Sequence, residues 1–335
     1  MSAFPLSDLA AVRTLELPAA DPAAVAAARD RQAQLTKPPG SLGRLEDLAV
    51  FLAGWQGRAI PRLERAQALV FAGNHGVCAQ GVNPFPQAVT ALMVENFRRG
   101  GAAINQLCRV AGADLTVVPL DLDRPTADFT QGPAMSEGEC LSALNAGAAA
   151  VDPAADVLIL GEMGIGNSTV SAALAHAACG GAPEDWVGPG TGSDAAGLAR
   201  KRAAVAAGAA RHAGLSPLAK LAALGGREQA ALCGAVLAAR LVRIPVLLDG
   251  YICTAAIAPL WAERRDALDH CLVGHRSAEP GHARLCAAMG KAPVLDLQMA
   301  LGEGTGAALA LTVLRGAVAC HAGMATFAEA GIGGP

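Results

Sequence analysis

Aromatic residues are scarce in this chain. Phe, Trp and Tyr make up 3% of 335 residues, with Tyr251 the single tyrosine. So thin a supply leaves little for stacking bases along a nucleic-acid strand. Net charge is small as well, −3 from 26 basic and 29 acidic side chains, which removes the electrostatic case for nucleic acid. The nine cysteines, at 78, 108, 140, 179, 233, 253, 271, 286 and 320, form no C-x-x-C pair. Their odd number and apolar surroundings read as small buried hydrophobes in a reducing compartment, so a cytoplasmic protein is expected. Long hydrophobic runs are missing although 53% of residues are hydrophobic and mean hydropathy is +0.36. Asp152, Asp156, Arg240, Asp249 and Arg315 interrupt the apolar runs, and glycines, Asn167 and His176 break the uncharged span 163–183. With no stretch of about 20 apolar residues, no membrane helix is expected. The opening MSAFPLSDLAAVRTLELP has no basic start followed by an apolar core, so no secretory signal is expected either.

Several catalytic signatures are also missing. There is no G-x-S-x-G elbow for a nucleophilic serine and no H-E-x-x-H pair for zinc. His275, Glu279 and His282 share a segment, but their spacing does not suit an all-protein metal site, and no metal is expected. No G-x-G-x-x-G follows the first strand candidate, which counts against a nicotinamide-dependent dehydrogenase.

What the chain does have is glycine at strand ends. GEMGIGNST, 161–169, follows the apolar run 157–160 and precedes an Ala-rich, helix-prone stretch. Gly164 and Gly166 remove side chains that would keep a ligand from the backbone, and Asn167, Ser168 and Thr169 sit at a helix start, where free N–H groups hold anions. Glu162 is the unusual member, because a carboxylate beside an anion site repels it unless it has another task. The plain alternative is a tight strand-to-helix turn that binds nothing. Two further clusters weaken that alternative. GPGTGSD, 188–194, carries Gly190 and Gly192, and LGEGTGAALA, 301–310, again sets an acid, Glu303, among glycines. Several such loops suggest one site over the carboxyl edge of a sheet, where ligands of open α/β sheets bind.

Six continuous apolar runs read as buried parallel strands: 68–72, 115–120, 157–160, 244–248, 271–274 and 293–297. Their alternation with helical patterns predicts an α/β protein with a parallel six-stranded sheet flanked by helices. Residues 1–60 hold no strand candidate but two helical stretches, 22–35 and 44–57, and 304–335 is again largely helical. The expected division is a sheet domain, 61–303, carrying the active-site loops, with the two ends packing together as a small helical domain.

Taken in order, KPPGSLGRLEDLA, NHGV, the P-Q-x-V-T loop, GEMGIGNST, GTG, LAALGG, PVLLDGYICTAA, HRSAEPGH and LGEGTGAALAL run from Lys37 to about Glu329. Together they resemble the nicotinate-nucleotide–dimethylbenzimidazole phosphoribosyltransferases, over nearly the whole chain. The resemblance implies a Rossmann-like fold, a homodimer, small-molecule substrates and no cofactor. It implies transfer of the phosphoribosyl group of nicotinate mononucleotide to 5,6-dimethylbenzimidazole, for the lower ligand of cobalamin. By motif, Glu303 becomes the general base and Glu162 an active-site acid. The turn after Glu162, with Ser277 and Gly281, would bind the ribose phosphate, and Lys201 matches a basic position near the nucleotide. Gln87 and Phe85 would border the benzimidazole pocket. Asn83 and Ser168 depart slightly from the family pattern.

Overall fold

The computed structural model describes residues 4–333. After a short 3-10 helix, Leu9–Thr14, come two α-helices, α1 (Pro22–Gln34) and α2 (Arg44–Gln56). Asp21 caps α1 by accepting from the Ala23 and Ala24 N–H groups, and Pro22 occupies its first turn, where a missing N–H costs nothing. A turn then separates the two helices: the Ser41 N–H donates to the Pro38 carbonyl at 3.1 Å, with Pro39 and Gly40 (φ +73°) at its centre.

The sheet follows: β1 (Ala66–Ala72), β2 (Ala113–Pro119), β3 (Val157–Met163), β4 (Val246–Leu248) and β5 (Cys271–Val273). All pairs are parallel, in the order β2-β1-β3-β4-β5. Between β1 and β2 lie α3 (Ala88–Arg98) and α4 (Ala103–Ala111), and before β3 lies α5 (Glu137–Ala149). The long crossover from β3 to β4 carries α6 (Asn167–Cys179), α7 (Ala195–Arg211), α8 (Pro217–Leu224) and α9 (Arg227–Leu241). After β4 come α10 (Tyr251–Ala256) and α11 (Ala258–Glu263), after β5 α12 (Pro280–Ala288), and finally α13 (Thr305–Gly323).

Alternation along β3 builds two cores. Leu158 and Leu160 point into one, with Leu144 of α5, Leu174 of α6 and Leu232, Val236 and Leu237 of α9. Val157 and Ile159 point into the other, with Leu48 and Leu52 of α2, Ile104 of α4 and Leu311 and Leu314 of α13. The sheet is thus covered on both faces at β1, β3, β4 and β5, which is why these strands are largely apolar. The edge strand β2, expected to be buried, has no buried residue and exposes Asp114 and Thr116. Alone among the described helices, α13 is long and apolar enough to cross a membrane. Its apolar stripe instead packs on the sheet and on α2 and α4.

The sheet has five strands where the sequence suggests six. The run 293–297 lies beside β5 but forms only a single parallel bridge, His275 to Leu295. Pro293 has no N–H to donate, and Leu297 is 55% exposed, so this run does not extend the ladder beyond that bridge. The chain ends meet: Leu35 bridges Thr326, the Arg31 guanidinium donates to the His321, Ala322 and Met324 carbonyls, and Gln32 contacts the His321 ring at 2.8 Å.

Candidate active site

Strand order reverses between β1 and β3, and the carboxyl ends of the strands there open a crevice. β3 continues past its apolar stretch through Gly161, Glu162 and Met163, and α6 begins at Asn167. Gly166 caps α6 at φ +94°, and a Cβ there would stand 2.6 Å from Cys78 Sγ, so both backbone and space demand glycine. The Asn167 and Thr169 N–H groups close the turn onto the Gly164 and Gly166 carbonyls at 3.1 Å each.

A cleft enclosing about 810 Å³ of empty space, part of it open to solvent, lies over this end of the sheet. Glu162, Gly164, Gly166, Asn167, Ser168, Gly190, Lys201, Ser277 and Glu303 all line it. One corner is positively charged. Lys201, 3% exposed, donates through Nζ to Ser168 Oγ and to the Gly188 carbonyl, both at 3.0 Å, so α7 anchors its cation at the start of α6. Burial lowers the Lys201 pKa, and Glu279 nearby offsets part of that. Cation and helix start together make an anion-binding corner.

The opposite wall is acidic. Glu303 sits between Gly302 and Gly304, and all three adopt positive φ, +65° at Glu303 and +84° and +87° at the glycines. For a glutamate this left-handed backbone costs about 1–2 kcal/mol, and such outliers collect where geometry matters. Asp249, at the end of β4, holds the loop in place. Its two carboxylate oxygens accept from the Gly304 N–H at 3.0 Å and the Ala307 N–H at 2.9 Å. Burial, and then the Asp249 charge, push Glu303 up to about 7.

Glu162 is pushed further, to about 8, first by burial and then by the charges of Asp249 and Glu228. The Asn167 side-chain amide donates to it and works the other way. At neutral pH Glu162 therefore carries its proton. That removes the conflict posed by an acid next to an anion corner, since a neutral carboxyl does not repel an anion.

Five of the expected residues do not line the cleft. Thr169 is fully buried within α6, and Gly192 stands beyond the Gly190 wall with open space around it. Gly281 is a packing position, where a Cβ would lie 3.1 Å from the Tyr251 hydroxyl and the Trp186 backbone. Phe85 is 47% exposed, and the Gln87 amide is engaged with the His75 carbonyl. The loop meets the cleft through Val82, Asn83 and Pro84, then departs towards α3.

His275, Glu279 and His282 do not converge. His282 Nδ1 accepts from the Ser277 N–H at 2.8 Å, its Nε2 faces Thr254 Oγ1 at 3.2 Å, and burial pushes the ring down to about 3. Glu279 accepts from the Gly190 N–H at 2.7 Å, and His275 Nε2 lies 3.5 Å from Asp249. Asp249 itself is visible in the sequence as a strand-end acid, but nothing local indicates that it braces the Glu303 loop. Met163, Tyr251, Ile252 and Leu301 also line the cleft without a signal of their own in the sequence.

Comparison with known proteins adds three findings. A family model described as phosphoribosyltransferase matches residues 17–332. The nicotinate-nucleotide–dimethylbenzimidazole phosphoribosyltransferase of Rhodobacter capsulatus is 64% identical over 329 residues, 98% of each chain, and that of Ruegeria pomeroyi is 61% identical over the same shares. The crystal structure of the enzyme of that name from Thermus thermophilus superimposes with a TM-score of 0.87 at 44% identity, covering 93% of this chain and 99% of that one.

Proposed function

The chain belongs to the nicotinate-nucleotide–dimethylbenzimidazole phosphoribosyltransferase family, and from that premise we propose that it transfers the 5-phosphoribosyl group of nicotinate mononucleotide to 5,6-dimethylbenzimidazole, with inversion at the anomeric carbon. The products are α-ribazole 5′-phosphate and nicotinate. The observation that carries this reading is the pairing, across one cleft, of a cationic corner with a carboxylate tuned to about 7.

In this reading the ribose phosphate lies against the start of α6, Ser168, Lys201 and Ser277. Nicotinate departs from a pyridinium, so its own electrons neutralise the ring and no general acid is needed. The acceptor nitrogen attacks the ribose carbon from the opposite face, and Glu303 takes the proton from the other ring nitrogen. A base near the working pH is matched to that transfer, which contributes about 10²–10⁴-fold. Positioning of both substrates contributes the larger share. Val82, Pro84, Met163 and Leu301, apolar residues on the cleft wall, suit a flat bicyclic acceptor. The reading also carries a cytoplasmic homodimer, with the helices of both chain ends as a small domain.

The test incubates the protein with both substrates, quantifies released nicotinate, and assigns the anomeric configuration of the product by NMR. Equal amounts of nicotinate and α-configured product are expected. A β-configured product would overturn the single-displacement chemistry, and no release would overturn the function.

A further inference from the structure

Behind the glycine turn lies a buried polar pair that the transfer chemistry leaves unused. His75 follows β1 and Glu228 lies in the first turn of α9, and both side chains are 0% exposed. His75 Nε2 stands 2.8 Å from Glu228 Oε1, a close polar contact angled away from an in-line hydrogen bond. His75 Nδ1, Glu228 Oε2 and both polar atoms of the neighbouring Gln229 amide have no hydrogen-bonding partner among the described residues. Burying so much unsatisfied polarity is destabilising, and apolar residues of equal volume would usually be more stabilising.

The backbone is shaped around this pair. A Cβ at Gly164 would lie 2.9 Å from His75 Nε2 and 3.5 Å from Glu228 Oε1. One at Gly73 would lie 2.2 Å from Glu228 Oε2, and one at Gly226 would lie 2.3 Å from His75 Cε1. The pair therefore supports the 164–166 turn directly from behind. His75 also faces the other half of the site, because its carbonyl accepts from the Gln87 amide and from the Cys78 N–H. Thus one residue touches the anion turn, the loop 81–90 and the start of α9.

We propose that His75 and Glu228 are positioning residues for the transfer, fixing the 164–166 turn and the loop carrying Gln87 in register with each other. The proposal rests on the phosphoribosyl-transfer reading. Glu228 has a second, electrostatic reach. The groups around Glu162 are Asp249 from the end of β4, Glu228 from α9, Glu303 from the loop before α13 and the Asn167 amide from α6. The three carboxylates oppose ionisation of Glu162, and Asn167 favours it.

Two variants of the full chain separate contact from charge. Glu228→Gln keeps the size and removes the charge, whereas Glu228→Asp keeps the charge and withdraws it by one methylene from His75. In both, the KM for nicotinate mononucleotide should rise about tenfold, the worth of one charge-assisted contact, with kcat falling less. Only in Glu228→Gln should the descending limb of the kcat/KM–pH profile, set by ionisation of Glu162 beside the anion corner, move to lower pH. A merely structural role would lower Tm and active fraction while leaving KM and the profile unchanged, and that result overturns the proposal. If Glu228→Gln does not fold, the donor KM of Glu228→Asp decides alone. Wild-type nicotinate release in the same assay keeps the two ideas apart: no release sinks the transfer reading, and normal release with unaltered variants sinks the positioning role.

Discussion

The proton on Glu162 makes the stability of the protein depend on pH in a direction opposite to that of a salt-bridged acid. An ordinary glutamate titrates near 4.5, and Glu162 is pushed up to about 8, chiefly by burial. Between those values the folded chain keeps a proton that the unfolded chain has lost. Raising the pH through this window therefore favours unfolding. Each pH unit within it costs about 1.4 kcal/mol, which amounts to about 1 kcal/mol at pH 5 and about 4 kcal/mol at pH 7.5. Glu162→Gln retains an oxygen that can accept from Asn167 but has nothing to titrate. Relative to wild type it should gain about 3 kcal/mol of stability between pH 5 and pH 7.5. At about 2.1 cal/mol/K of unfolding entropy per residue, a chain of this length converts that to a relative Tm gain of about 4 °C. Differential scanning calorimetry of both proteins at the two pH values measures it. Parallel pH dependence of the two Tm values would refute the burial of Glu162 in its protonated form.

Three further expectations concern the cleft. Glu303→Gln keeps the shape but cannot accept a proton, so kcat should fall by about two orders of magnitude with donor affinity nearly constant, and the ascending limb near pH 7 should vanish; wild-type turnover would exclude Glu303 as the base. Lys201→Met removes the cation held by Ser168 and the Gly188 carbonyl; calorimetric titration should show nicotinate mononucleotide losing its advantage over the dephosphorylated nucleoside, and a retained advantage would move the phosphate elsewhere. Gly166→Ala sets a Cβ 2.6 Å from Cys78 Sγ at positive φ, so the donor KM should rise about tenfold and stability should fall by about 1–2 kcal/mol; adding Cys78→Ala should recover part of both, and no recovery would mean that the sulfur contact is irrelevant.

Much of this architecture is legible locally. β1, β3 and β5 begin within two residues of the apolar runs that announce them, and α1 starts at the Asp21–Pro22 signal. These features are readable because capping and strand patterning are written in neighbouring residues. The glycine turns are readable for the same reason, since Gly164, Gly166 and Gly190 each reach the cleft next to the strand or helix that their spacing marks. The sixth apolar run looks like the others in one dimension, and the path the chain takes beside β5 limits it to one bridge. Gln87 and Phe85 have suitable chemistry, but the direction in which the chain leaves Pro84 is a tertiary matter.

By itself the sequence determined the parallel α/β class, the glycine turns and the two acids placed among them, because each depends on residues a few positions apart. Tertiary structure alone decided what those acids can do. Asp249 and Glu228 come from the end of β4 and from α9, far from Glu162 in the chain, and the desolvation and charge that raise Glu162 and Glu303 exist only once those elements pack together.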